Sequence, residues 1–196
     1  SANPIPRFGI RVLIAMSHHP DLERPSRWVE RFATLLPSRS HVLDLACGGG
    51  RHSRLFAARG AVVIGVDRDA QAIERLREQP TVTAVCADLE NGPWPFPATR
   101  FDAIVVTNYL HRPLFPVLCD SLLPGGLLVY ETFMLGNERF GKPSNPDFLL
   151  RPGELLVHCA GLSVLAFEQG EIDDVKPAMI QRICAIRSDT PALRIP

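Results

Sequence analysis

Five short apolar runs alternate with helix-like segments along most of the chain, and this alternation limits the possible folds more than any other feature. The runs predicted as strands are residues 41–46, 61–66, 82–87, 101–107 and 126–133. Helical spacing and helix-stop residues fall between them, over residues 51–60, 69–79 and 112–126. Strands that alternate with helices form a parallel sheet covered on both faces. The sequence therefore predicts an α/β, Rossmann-like doubly wound, mostly parallel sheet.

The two ends of the chain modify this plan. Residues 21–36 have the pattern of an added amphipathic N-terminal helix, preceded by an extension over residues 1–20. Residues 162–171 and 178–188 are two strand-like runs that are joined by an acidic turn region, with no helix between them. A sheet that ends in such a hairpin contains an antiparallel strand. We therefore expect a single domain over residues 21–196.

Composition excludes several classes of protein. The chain has 196 residues, enough for one full core, and its 21 basic residues balance 21 acidic ones. This neutrality argues against non-specific binding to nucleic acid or to an anionic membrane, although a specific RNA partner stays possible. The five cysteines are scattered without CxxC spacing, which predicts reduced thiols of a cytoplasmic protein and no metal site. The apolar stretch over residues 8–16 is too short to span a bilayer.

The run VLDLACGGG places one acid, Asp44, inside an apolar strand that is followed by three glycines. Glycines let a ligand approach the backbone closely, and a helix that begins near Arg51 directs free N–H groups toward that ligand. A tight structural turn explains the glycines equally well when they are considered alone. Arg51 and His52 are expected in the first turn of this helix rather than as ligand contacts.

Two further strand ends carry acids. Asp67 ends the second predicted strand, where a carboxylate can grip both hydroxyls of a ribose, while Asp69 can cap the helix that follows. Asp88 ends the third strand, where it can accept a hydrogen bond from an adenine amino group. Three successive strands thus end in residues that suit an adenosine-containing ligand.

Together with GVDRD, ADLE, FDAIVVTNYLHR and LLPGGLLVYETF, this series resembles the class I S-adenosylmethionine (SAM) dependent methyltransferases over residues 28–187. Within that superfamily it is most similar to the small bacterial tellurite-resistance-type methyltransferases. A dinucleotide-binding dehydrogenase is the main alternative, because Gly48, Gly50 and Ser53 form a degenerate GxGxxG. Asp44 opposes that alternative, since it would lie under an anionic pyrophosphate but suits the cationic ammonium and sulfonium groups of SAM.

The resemblance implies SAM as cofactor, with contacts at four strand ends. The implied cofactor-binding residues are Asp44, Ala46, Gly48, Gly50, Asp67, Arg68, Asp88, Leu89 and Asn108. Asp67 would hold the ribose, and Asp88 with the Leu89 backbone would face the adenine. Asn108 would present its backbone carbonyl to the ammonium group.

The acceptor is expected beyond the fourth and fifth strands. Tyr109 and His111 are the candidate catalytic residues, the first to shape the methyl pocket and the second to take a proton, although simple packing explains His111 equally well. Residues 132–150 lack periodicity but contain aromatic residues, which predicts an ordered lid. Nearby basic side chains could grip an anionic substrate, but acids lie among them and favour mutual salt bridges. These basic residues are Arg112, Arg139, Lys142 and Arg151.

The sequence thus predicts transfer of a methyl group from SAM to a small-molecule acceptor. Such a reaction mainly requires alignment of the reactants and exclusion of water, so a missing general-base motif is compatible with it. Two alternatives stay open: RNA or protein as the acceptor, and a non-catalytic SAM-binding sensor that uses the same pocket. The sequence contains no indication of the oligomeric state.

Overall fold

A computed structural model describes residues 24–174, 176–188 and 195–196. Its seven strands form one sheet in the order β3-β2-β1-β4-β5-β7-β6. They are β1 His41–Leu45, β2 Val62–Asp67, β3 Val82–Cys86, β4 Phe101–Thr107, β5 Leu122–Phe133, β6 Ser163–Asp173 and β7 Pro177–Ile186. Strands β1 to β5 are parallel to their neighbours, and β7 is antiparallel to both β5 and β6. The predicted Rossmann-like sheet with a terminal antiparallel hairpin is confirmed.

Helices cover both faces of this sheet. They are α1 Arg27–Ala33, α2 Arg51–Ala58, α3 Ala70–Arg77, α4 Phe115–Asp120 and α5 Glu154–His158. Alternate residues of β4 enter different cores: Ala103 packs with the residues of α1, α2 and α3, whereas Ile104 packs with those of α4 and α5. Burial on both faces explains why the central strands are almost entirely apolar. No helix in the described ranges is long and apolar enough to cross a membrane.

Several element boundaries differ from the prediction. Helix α1 begins only after its cap, Ser26, and the extension over residues 1–20 lies outside the described residues. Helix α4 ends at Asp120, and Leu122 already pairs with Phe101 as the start of β5. Helix α5 begins after Gly153, which occupies its cap with a φ of 71°. Glycine accepts this left-handed conformation without a steric penalty.

Candidate functional site

A cavity of about 400 Å³ lies at the carboxyl ends of the parallel strands, which we call the strand-end cavity. Its volume falls within the roughly 300–1,000 Å³ of small-ligand pockets. The predicted cofactor residues that line it are Ala46, Asp67, Arg68, Asp88, Leu89 and Asn108. The predicted residues Asp44, Gly48 and Gly50 do not line it. The fold therefore brings six residues from four strand ends to one cavity, as expected where parallel strands finish together.

Asp67 is fixed by backbone donors on both of its oxygens. The Gly48 N–H donates to Oδ2 at 2.8 Å, and the Asp69 N–H donates to Oδ1 at 2.9 Å. Asp69 in turn caps α3, so its carboxylate is engaged with the helix, as the sequence predicted. Each carboxylate oxygen of Asp67 retains a second lone pair for a ligand hydroxyl. The geometry therefore provides a pre-oriented acceptor pair at the edge of the cavity.

Asp88 is an exposed acid held by the turn that follows β3. Its carboxylate accepts hydrogen bonds from the Asn91 side chain at 2.9 Å and from the Glu90 backbone N–H at 2.9 Å. These bonds, with the side chain of Asn91 first, lower the pKa of Asp88. Leu89, which follows it, is 8% exposed and adds an apolar wall. Asp88 is thus a stable anion that can accept a further hydrogen bond from a ligand.

The three glycines after β1 have different surroundings. A Cβ at Gly48 or Gly49 would meet no atom within 4 Å, so the backbone there is open to a close approach. At Gly50 the φ angle is +77°, and a Cβ would collide with the side chain of Leu76 on α3. The absence of a side chain at Gly50 is therefore required by helix packing. Only the first two glycines leave room for a ligand.

Asp44 is buried in β1, with 1% of its surface exposed. The Ser53 hydroxyl donates to its Oδ2 at 2.6 Å and so ties β1 to the first turns of α2. Burial raises the pKa of Asp44 to about 6, although the Ser53 hydrogen bonds and the Arg51 charge act in the opposite direction. The cavity begins at Ala46, two residues further along the chain. The predicted role of Asp44 toward a cationic ligand stays a prediction.

Of the two catalytic candidates, only Tyr109 lines the cavity. Its backbone carbonyl accepts a hydrogen bond from the Tyr130 hydroxyl at 2.7 Å, which fixes the residue. Its own hydroxyl is buried and makes no hydrogen bond of good geometry with any described residue. Burial and the nearby Glu90 carboxylate raise the pKa of Tyr109, so the hydroxyl stays protonated at neutral pH. His111 lies before a short 3₁₀ turn and does not line the strand-end cavity.

The loop over residues 134–150 covers the strand-end cavity with Pro143 and Phe148. Both ends of this covering loop meet, because the Leu135 N–H donates to the Leu150 carbonyl at 2.9 Å. Its interior is fixed by the buried Asn137, whose side-chain amide donates to the Pro143 carbonyl at 3.0 Å. The lid was predicted over residues 132–150, but Thr132 and Phe133 belong to β5, so the ordered loop begins at residue 134. Its movement on binding stays a prediction.

Arg112 anchors the second half of this covering loop. Its guanidinium donates to the Asp147 carbonyl at 2.7 Å and to the Leu149 carbonyl at 2.9 Å. It also forms an ion pair with Glu154 at 2.6 Å. Burial alone would raise the pKa of Glu154, but the hydrogen bonds from Arg112, the Arg151 N–H and His158 lower it to about 2. The predicted salt bridging thus holds for Arg112, which is occupied by protein groups.

A second cavity of about 530 Å³ adjoins the first and shares Asn108 and Phe133 with it. We call it the hairpin cavity, because the β6–β7 hairpin forms one wall with Ile172 and Ile180. The start of α1, the end of β5 and Arg51 form the other walls. These segments are far apart in the sequence, so no sequence motif predicts the cavity.

A polar network fixes α1 against this cavity. The Ser26 hydroxyl donates to Glu131 at 2.7 Å, and Glu131 pairs with Arg182 at 3.1 Å. The Ser26 N–H donates to His52 Nε2 at 3.0 Å, so the ring proton resides on Nδ1, which lies 3.4 Å from the Thr107 hydroxyl. Burial, and then the Arg51 charge, lower the pKa of His52 to about 3. His52 is therefore a neutral link between α1 and the sheet.

Comparison with known proteins adds independent findings. The family model described as a methyltransferase domain matches residues 42–126. The trans-aconitate 2-methyltransferase of Paracidovorax citrulli is 36% identical over 105 residues, which cover 49% of this chain and 40% of that protein. The ubiquinone biosynthesis O-methyltransferase of Coxiella burnetii is 33% identical over 116 residues, which cover 54% of this chain and 48% of that protein.

Among solved structures, TehB from Haemophilus influenzae superimposes with a TM-score of 0.67 at 19% sequence identity. The superposition covers 82% of this chain and 61% of that protein, and at this identity it shows a shared fold. The chain spans less than half the length of the two curated relatives. The matched residues 42–126 include β1 to β4 and the start of β5, whereas the β6–β7 hairpin lies outside them.

Proposed function

We propose that this chain is a class I SAM-dependent methyltransferase that transfers the methyl group of SAM to a small-molecule acceptor. The methyltransferase-domain model that matches residues 42–126, the two curated methyltransferase relatives and the fold shared with TehB support this proposal. The observation that carries this proposal is the strand-end cavity, which Asp67 and Asp88 both line, while the open glycine turn after β1 is joined to it by the Gly48 N–H bond to Asp67. Two anchored acids and an uncovered glycine turn suit the hydroxyls, the amino group and the chain of an adenosylated amino acid.

The residues of the cavity would divide the work of binding. Asp67 would orient the two ribose hydroxyls, since its oxygens are fixed by backbone donors. Asp88 would accept from the adenine amino group while Leu89 packs against the ring. Asn108, at the end of β4, would meet the methionyl end, where the two cavities touch. When bound, SAM supplies a methyl group on a cationic sulfur with a neutral thioether as leaving group.

The methyl transfer requires mainly that the protein align the acceptor with the methyl group and keep water out of the cavity. Tyr109 stands at the end of β4 with a hydroxyl that stays protonated, so it can donate a hydrogen bond to an acceptor but does not serve as a base. Pro143 and Phe148, which line the cavity, would help to exclude water from the bound methyl donor, and this would favour transfer to the acceptor over hydrolysis. His111 lies outside both cavity walls, and its catalytic role stays a prediction.

We also infer that the protein works in a reducing compartment such as the cytoplasm. All five cysteines are free thiols, and three of them are buried in the cores. Burial raises the pKa of Cys159 and of Cys184 to about 12, so these two thiols stay protonated and unreactive at neutral pH. Thiols of this kind support a structural role in reducing surroundings.

Two experiments test the proposal. Isothermal titration calorimetry should show binding of SAM and of S-adenosylhomocysteine (SAH), whereas binding of NAD alone would contradict the cofactor assignment. Incubation of the protein with methyl-labelled SAM and a metabolite extract, followed by mass spectrometry, should then reveal a labelled small molecule. Binding of SAM without any labelled product would instead favour the non-catalytic SAM-binding alternative.

A further inference from the structure

The hairpin cavity carries more positive charge than its walls neutralise. Five cationic and three acidic side chains line it. Arg182 pairs with Glu131, and Arg27 lies 3.5 Å from Asp174. These two pairs leave three cations and the single acid Glu30 on the walls.

Arg24, Arg51 and Lys176 are the three remaining cations, and none forms an ion pair with any described residue. Arg51 is half-buried, and the one acceptor that it contacts in the described ranges is the Arg24 carbonyl at 3.2 Å. Burial lowers the pKa of Arg51, and the charges of Glu131 and Asp44 act in the opposite direction, although neither carboxylate forms an ion pair with Arg51 in the described ranges. A charge in this condition is stabilised by an anion that enters the cavity.

The position of the cavity relates this charge to the reaction. Asn108 and Phe133 belong to both cavities, so a molecule in the hairpin cavity lies next to the methionyl end of the strand-end cavity. SAM itself carries a net positive charge, from a sulfonium and an ammonium against one carboxylate. A cationic acceptor would therefore be repelled by both the walls and the donor, whereas an anionic one would be attracted by both.

The walls also contain apolar surface. Phe133 at the end of β5 and Ile172, Ala178 and Ile180 of the hairpin face the same space as the cations. Ala178 and Ile180 are each 5% exposed, so they form a firm floor. A purely inorganic anion would leave this floor in contact with water, whereas an organic anion would cover it.

We propose that the hairpin cavity binds the methyl acceptor and that this acceptor is a small organic anion, held at its charged group by Arg51 with Arg24 and Lys176. This inference rests on the proposed methyltransferase function and adds its substrate class. A nucleophilic atom of the bound anion forms the bond to the methyl carbon, the carbon–sulfur bond of SAM breaks, and its electron pair stays on sulfur as the neutral thioether. Any proton on the nucleophile leaves to solvent.

In the first test, an anion exchanger at pH 7 separates a metabolite extract into a retained and an unretained fraction. Each fraction is then incubated with protein and methyl-labelled SAM. We expect labelled product from the retained, anionic fraction. Labelled product from the unretained fraction alone would overturn the substrate class and leave the methyltransferase function standing. An absence of label in both fractions, with SAM binding intact by calorimetry, would contradict the transfer activity on which this inference rests.

The second test compares Arg51→Gln with Arg75→Gln, which removes the same charge from an exposed position on α3 that lines neither cavity. Arg51→Gln should lower kcat/KM for the retained fraction about tenfold, the loss expected for one charge-assisted hydrogen bond, while the dissociation constant of SAH changes less than about twofold. Arg51→Lys should restore part of the loss. Arg75→Gln should change neither quantity.

Equal weakening of SAH and acceptor by Arg51→Gln would place Arg51 at the methionyl carboxylate of the cofactor and overturn its assignment to the acceptor. Thermal unfolding of each variant verifies that the domain is intact. Arg24→Gln and Lys176→Gln, which lie on separate segments, keep the proposal open to contradiction if Arg51→Gln fails to fold. Unchanged kcat/KM in both of these variants would overturn the role of the cationic wall.

Discussion

The two cavities share a wall and differ in almost everything else. The strand-end cavity presents the acids Asp67, Asp88 and Glu90 and takes its residues directly from strand ends. The hairpin cavity presents excess positive charge and collects residues from α1, the start of α2, β5 and the hairpin. The family match over residues 42–126 contains most of the first and little of the second. The residues that the family model matches thus lie mainly at the cavity where we propose that SAM binds, whereas the proposed acceptor cavity is built mostly from residues outside that match.

The largest effect should come from Asp67→Ala, which removes an acceptor pair from the strand-end cavity only. We expect the dissociation constant of SAH to rise about tenfold to a hundredfold, since a hydrogen bond to a charged group contributes about 1.5–3 kcal/mol. Isothermal titration calorimetry measures the change. Asp102→Ala is the matched control, because Asp102 also accepts a backbone N–H, from His41 at 2.7 Å, at the opposite end of the sheet.

An unchanged affinity in Asp67→Ala would remove the ribose role from Asp67. An equal loss in Asp102→Ala would show that the effect is structural and has no relation to the cavity. Either result would contradict the proposal that the strand-end cavity binds the cofactor through Asp67.

A smaller effect is expected at Glu154, which holds Arg112 and through it the loop over the strand-end cavity. The pKa of Glu154 is about 2 in the folded protein, below its ordinary value of 4.5, so its stabilisation is complete above pH 4.5 and is lost as the pH falls toward 2. Glu154→Gln should therefore lower the free energy of unfolding by about 1–2 kcal/mol at pH 7 and lose this deficit in acid.

Chemical denaturation at pH 7 and at pH 3 measures both quantities. The matched variant is Glu171→Gln, whose ion pair with Arg139 is more than half exposed and should contribute little. A constant difference between wild type and Glu154→Gln at the two pH values would refute the proposed linkage. Acceptor kinetics should be affected less than SAH binding, because Glu154 lines neither wall of the hairpin cavity.

Variants of Asp44 test whether this buried acid, which does not line the strand-end cavity, affects the affinity for SAM. Its pKa of about 6 reflects burial first, against Ser53 and Arg51, with Asp67 as the nearby like charge. A cation in the cavity favours the ionised form, so the affinity for SAM should rise roughly fivefold from pH 5 to pH 7. Asp44→Asn should flatten this rise. An identical pH profile in the wild type and in Asp44→Asn would exclude an effect of Asp44 on SAM binding and would leave only its structural hydrogen bond with Ser53.

The smallest effect is expected for Phe148→Ala in the covering loop. Phe148 is 53% exposed, so its loss should leave stability almost unchanged and weaken SAH binding only about twofold to threefold. Hydrogen exchange in residues 134–150 should slow when cofactor and acceptor are both present, as the predicted lid requires. Equal protection from exchange with and without ligands would show that the loop is a fixed wall. The control for Phe148→Ala is Leu135→Ala, because Leu135 is also exposed but lines neither cavity.

Six residues of the strand-end cavity could be predicted because each of them lies at the end of a parallel strand. Asp67 and Asp88 stand out in the sequence since an acid at the end of an apolar run is locally unusual. Gly50 illustrates the limit of such reasoning: its partner, Leu76, is a helix residue twenty-six positions away, and packing of that kind leaves no local pattern. The role that we propose for Arg51 has no local signal for the same reason, because Arg24 and Lys176 line the same cavity only in the folded chain.

The antiparallel strand β7 has a consequence for how new specificities can arise. It pairs only with β5 and with the edge strand β6, so the hairpin hangs from one side of the sheet and takes no part in the register of β1 to β4. The walls that the hairpin gives to the proposed acceptor cavity could therefore be exchanged without altering the register of the strands that end at the strand-end cavity. If the proposed roles are right, Ile172 and Ala178 are the hairpin positions to exchange in order to change the acceptor.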